Sequence, residues 1–66
     1  GLVTIKIFDV MGREIQTLVN GYFQPGTNII SWNGKNHSGK RVGAGVYIYQ
    51  LETYQTRISK KMVLMK

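Results

Sequence analysis

The stretch that decides the fold is Leu2-Val3-Thr4-Ile5-Lys6-Ile7-Phe8. Val3, Ile5 and Ile7 fall on one side of an extended chain, and Thr4 and Lys6 on the other. A period of two in β-branched residues marks a strand buried on one face. Asp9 to Arg13 follows as a turn. Gly12 permits a backbone angle that other residues resist, and Asp9 offers its carboxylate to backbone N–H groups in an Asx arrangement. Glu14 to Val19 reads as a second strand that returns along the first as a hairpin. Its inward residues are Ile15 and either Leu18 or Val19, and that broken spacing predicts a bulge or bend.

The same alternation returns near the other end. After Gly45, Val46 to Thr53 sets Tyr47, Tyr49 and Leu51 on one face and Val46, Ile48, Gln50 and Glu52 on the other. Tyr54 to Thr56 is a turn. Arg57 to Lys66 is the last strand, with Ile58, Met62 and Leu64 on one side and Lys61, Val63 and Met65 on the other. The adjoining cations Lys60 and Lys61 mark where its register could break.

The middle of the chain is less regular. Asn20-Gly21 opens a loop that runs through the turn mark Pro25-Gly26, with Tyr22 and Phe23 capping the core edge. Thr27 to Trp32 is the expected third strand, carrying Ile30 and Trp32 inward, with Trp32 at the centre of the core. Asn33 to Ala44 holds Gly34, Gly39 and Gly43 beside Lys35, Lys40 and Arg41, a composition that builds no regular element. The turn positions are thus Asp9, Gly12, Gly26, Asn33, Gly34, Gly39 and Gly45, and the core is Ile5, Ile7, Trp32, Tyr47, Tyr49 and Leu51. No segment has helical spacing. The expected fold is all-β, a small antiparallel Ig-like β-sandwich of roughly five to six strands, occupying residues 1–66 as a single domain.

Composition narrows the function. A chain of 66 residues buries only about 60% of the surface its unfolded form exposes, so its core is thin. It has no cysteine to staple that core, and no apolar run approaches the roughly 20 residues of a membrane helix. No signal peptide is visible. Nine Lys and Arg against Asp9, Glu14 and Glu52 leave a net charge of +6, which favours acidic partners. The cations are spread along the chain, as on a solvated surface.

The residues of chemistry are few and scattered. The single histidine, His37, has no carboxylate near it in sequence, and one histidine cannot make the usual multi-ligand metal site. Ser31, Ser38 and Ser59 have no base in sequence reach. Gly34, Gly39, Gly43 and Gly45 are followed by a strand, whereas phosphate-cradling loops need a strand and then a helix. The expectation is a protein that is not an enzyme and has no cofactor or metal. Tyr47 and Tyr49 beside Lys6, Arg57, Lys60 and Lys61 could form a base-stacking platform, but an ordinary core face accounts for these tyrosines better, so nucleic acid is not the expected partner. Asn36-His37-Ser38 fits the N-glycosylation acceptor pattern, which is frequent by chance.

Read in order, the motifs are Ile5-x-Ile7-Phe8-Asp9-x-x-Gly12-Arg13, Gly26, Trp32-Asn33-Gly34, Gly39, Gly45-Val46-Tyr47-x-Tyr49-x-Leu51 and Lys60-Lys61-Met62-Val63-Leu64-Met65-Lys66. This order resembles the C-terminal sorting domain of proteins exported by the bacterial type IX secretion system, and equally the related Ig-like domain of the flagellar hook-capping protein. The resemblance implies a module at the end of a larger secreted protein, carried through the periplasm to the exterior or cell surface and recognised by secretion-machinery or surface-processing proteins. It ties recognition to Lys60, Lys61, Met62, Val63, Leu64, Met65 and Lys66, to which the edge formed by the last strand adds Arg57. One departure is Asn33, where the family usually carries Asp; Asn makes the same turn bond without the charge. A terminal strand is also an open edge, so pairing with another copy into a homo-oligomer, or an assembly role of the hook-capping kind, is the first alternative, and a basic β-domain that binds nucleic acid or acidic glycan is the second.

Overall fold

A computed structural model describes residues 1–22 and 30–65. Four antiparallel strands form one sheet: β1 (Leu2–Asp9), β2 (Glu14–Tyr22), β3 (Gly45–Glu52) and β4 (Arg57–Leu64), in the order β2-β1-β3-β4. The two hairpins therefore sit side by side, with the first and third strands as the inner pair. The described residues contain no helix, in line with the absence of helical periodicity.

The β1–β2 turn is built as its sequence predicts. Met11 N–H and Arg13 N–H each donate to Asp9 Oδ1 at 2.9 Å, and Gly12 turns at φ 84°. β2 then slips twice against β1. Ile5 faces Val19 but Lys6 faces Thr17, and Ile7 faces Gln16 but Phe8 faces Glu14. Leu18 and Ile15 are the extra residues, so the irregular spacing of this strand resolves into two bulges, each of which bends and twists the edge.

Four expectations about the strands change. Asn20 and Gly21 continue β2, paired with Thr4 and Val3, because β1 extends far enough to bond them. Tyr22 pairs with Leu2 and stays exposed rather than capping the core. β4 runs against β3 from Gly45↔Leu64 to Glu52↔Arg57 without a slip, so Lys60 and Lys61 do not break its register. Lys60 shares the face of Tyr49, where its methylene stem can lie over apolar surface while its charge meets water. Of the expected third strand, Ile30, Ser31 and Trp32 are not in strand conformation; Thr27, like Phe23, Pro25 and Gly26, lies outside the described residues.

The core is as thin as the length demands. Among the described residues only Ile7 (1% exposed) and Tyr47 (9%) are buried apolar side chains. Ile5, Trp32, Tyr49 and Leu51 are half-buried. Trp32 lies against the sheet face instead of at a centre, since what reaches it is an irregular arm and not a strand. Its ring meets Tyr47 edge-on at 5.2 Å between centroids. The accessible surface of 5096 Å² exceeds the ~4,200 Å² that a compact chain of this mass presents.

Replacing Ile7 by Ala is expected to destabilise the chain by about 2–5 kcal/mol, enough to unfold much of so small a domain. Replacing the exposed Val63 by Ala should stay within about 0.5 kcal/mol. Urea titration followed by Trp32 fluorescence reads both, and equal effects would mean that Ile7 is not the packing centre.

Candidate interaction edge

Residues 30–44 form an arm across the face of the sheet that carries Ile7, Tyr47 and Leu64. Asn33 Oδ1 accepts from Lys35 N–H at 3.0 Å, and Trp32 Nε1–H donates to Lys35 O at 2.9 Å. Gly34, at φ 76°, sits against Leu64, where an added Cβ would lie 3.5 Å from the nearest Leu64 methyl. Asn36 Oδ1 accepts from Ser38 and Lys40 N–H, both at 3.0 Å, and a bridge joins Lys35 to Arg41. The side chain of the acceptor-pattern residue Asn36 is thus already used to hold the loop. Tyr47 hydroxyl donates to Gly43 O at 2.7 Å, anchoring the return to β3.

The same arm is bonded to the start of one of the two sheet edges. His37 N–H donates to Ile15 O at 3.0 Å, and Gln16 Nε2 donates to Asn36 O at 3.0 Å. Together with the two bulges, these bonds make the first half of β2 a poor template for another strand. β4 differs in every respect. Its eight residues are unbulged, Arg57 to Lys61 are all exposed, and among the described residues β3 alone pairs with it.

Charge is distributed to match. Lys6 Nζ lies 3.3 Å from Glu14 Oε1, and His37 Nε2 lies 3.0 Å from Glu14 Oε2. Arg13 Nε bonds Asp9 Oδ2 at 2.7 Å, and Arg57 grips Glu52 through Nε and Nη2. All three carboxylates of the chain are thereby occupied. Sequence separation hid the His37–Glu14 contact, because it depends on the arm folding back on β2. Among the described residues, Lys35, Lys40, Arg41, Lys60 and Lys61 have no Asp or Glu partner. Backbone N–H from Arg13 is the main reason the Asp9 carboxyl stays below its ordinary value of 3.8. The Lys6 ammonium is the main reason Glu14 stays below 4.5.

The residues singled out from sequence therefore separate into two groups. Ile5, Ile7, Trp32, Tyr49 and Met62 line one apolar groove together with Leu18 and Ile30. Tyr47, buried under Trp32 with its hydroxyl bonded, presents no free ring face for stacking. Arg57, Lys60, Lys61, Met62, Val63 and Leu64 lie along β4, Met65 follows, and Lys66 falls outside the described residues. Arg41 joins the far end of this edge, sharing a small cleft with Leu64 and Met65. It was not among the recognition residues read from sequence, and nothing local to it signals the placement. Among the described residues no group of three or more His, Asp or Glu is placed to hold a metal ion, and no helix is long and apolar enough to cross a membrane.

The architecture defines a small all-β, Ig-like module in which, among the described residues, β4 is paired on one side only. The model of the FlgD Ig-like domain family matches residues 2–57, and the chain belongs to that family. No curated protein and no solved structure shows significant similarity to it. The matched region stops at Arg57, so all but the first residue of β4 lies beyond it.

The lowered carboxyls give a signed pH dependence. A group held below its unfolded value stabilises the fold above that value and loses this as pH falls through its folded value. Thermal stability should therefore be level near neutrality and decline as pH drops below about 4. Asp9→Asn should lower the melting temperature at neutral pH and flatten the acid decline. An unchanged acid limb in that variant would mean that Asp9 is not a source of it.

Proposed function

We propose that the chain is a non-catalytic structural Ig-like module that engages a partner protein by adding a strand to β4. The observation that carries this reading is the contrast between the two edges: β2 is bulged and bonded to the arm at Ile15 and Gln16, while among the described residues β4 is unbulged and paired by β3 alone. An open edge offers a row of backbone donors and acceptors, and pairing there supplies affinity without a pocket. Membership of the FlgD Ig-like domain family supports a structural role. The non-catalytic reading is supported by the partners that every Asp and Glu already holds, with His37 Nε2 3.0 Å from Glu14 Oε2. In this reading the Ig-like sandwich of five to six strands expected from sequence is approached as the arm covers one face and a partner extends the sheet.

A second reading is favoured by the cations on the same edge. As a type IX sorting module, the chain would take a larger protein to the exterior or cell surface, with Lys60 to Lys66 read by the secretion machinery. In that case a reporter carrying this domain should lose export from a type IX-competent cell when Lys60 to Lys66 are deleted. Unchanged export would remove the sorting reading and leave the structural one standing.

The structural reading is tested by adding strand-forming peptides of several charges to isotopically labelled chain and following its two-dimensional NMR spectrum. At least one should shift β4 resonances selectively over those of β2. If none shifts β4, the edge does not dock strands.

A further inference from the structure

We infer that the β4 edge is built for an extended segment carrying two consecutive acidic residues, and not for a second copy of this chain; the inference rests on the strand-docking reading above. In a strand, successive side chains point to opposite faces. Lys60 shares a face with Tyr49 and Lys61 shares the opposite face with Ile48, so the edge presents one cation on each side of the sheet at adjoining positions. A strand laid beside β4 sets two consecutive residues against this pair. Opposite charges directly across a strand pair stabilise it and like charges destabilise it, so both facing residues are best acidic.

The flanks define the rest of the segment. On the face of Lys60, Ile58, Met62 and Leu64 follow the same parity; on the face of Lys61, Val63 does. Ile58 is 45% and Val63 65% exposed, apolar surface that a β-branched neighbour would cover. Arg57 is engaged by Glu52 and asks for no acid. At the other end Arg41 adds a cation beside Leu64 and Met65. No Asp or Glu of the chain competes for Lys60 or Lys61, since Asp9, Glu14 and Glu52 hold other partners.

A second copy fails on the same grounds. Antiparallel pairing about a two-fold axis keeps each face on its own side. In the two registers of greatest overlap it sets Lys60 against Lys60, or Lys61 against Lys61, and brings two chains of net charge +6 together. The lysines thus act against self-pairing while selecting an acidic guest.

The test uses the whole 66-residue chain and the capped peptide Val-Val-Ile-Glu-Glu-Thr-Val-Thr, with affinity read by fluorescence anisotropy and placement by intermolecular NMR contacts. The expected result is cross-strand contacts to β4. Binding should weaken by about tenfold or more when Gln-Gln replaces Glu-Glu in the peptide, or when Lys60 and Lys61 are both changed to Glu, since each step removes two facing charge pairs. A version with Pro on either side of Glu-Glu should lose the contacts. Equal affinity of the Gln-Gln peptide at β4 would overturn the acidic preference and leave strand docking intact. Equal affinity of the Pro version would show charge attraction without strand addition. Contacts from no peptide would overturn both this inference and the docking reading. β4 shifts that grow with protein concentration alone would assign the edge to a second copy.

Discussion

The contact between Tyr47 and Trp32 holds this structure together. Tyr47 stands in the inner pair of strands beside Ile7, the one fully buried aliphatic side chain among the described residues. Its ring takes the edge of Trp32 at 5.2 Å and its hydroxyl bonds Gly43 O. A single residue thereby joins the sheet to both ends of the arm. Aromatic pairs of this geometry contribute about 0.5–1.5 kcal/mol beyond area burial, a large share of the margin in a chain so short.

The arm in turn decides which edge is open. Trp32 and Tyr47 fix its beginning and end, Gly34 lets it pass close to Leu64, and the Asn33 and Asn36 side chains shape the turns between. That path bonds His37 and Asn36 of the arm to Ile15 and Gln16 of β2, while among the described residues β3 alone pairs with β4. The ion pairs reinforce the asymmetry, because the acids are used on the β1–β2 hairpin and at the β3–β4 turn while Lys60 and Lys61 have no Asp or Glu partner.

Features set by neighbouring residues were legible in the sequence. The alternation of Val3, Ile5 and Ile7, the Asp9–Gly12 turn and the faces of Tyr47, Tyr49 and Leu51 all follow from local geometry, and the uneven spacing of Ile15 and Leu18 pointed to the bulges. What was hidden depends on distant partners. Gly21 reads as a breaker until β1 is seen to bond it. The cations at Lys60-Lys61 suggest a slip until β3 holds the strand straight. Trp32 reads as the centre of a core, but the irregular arm carrying it only reaches the sheet surface. The position of Arg41 beside β4 and of His37 beside Glu14 follows from the route of the arm, which no periodicity encodes.

Among the described residues β4 is paired on one side only, while the start of β2 is bonded to the arm. Residue-resolved amide hydrogen exchange on the free chain tests it directly. The account predicts alternating slow and fast amides along Arg57–Leu64, as expected for a strand bonded to one neighbour, with continuous protection along β1 and β3 and a protected His37 amide. Uniform slow exchange along β4, or a fast His37 amide, would contradict it.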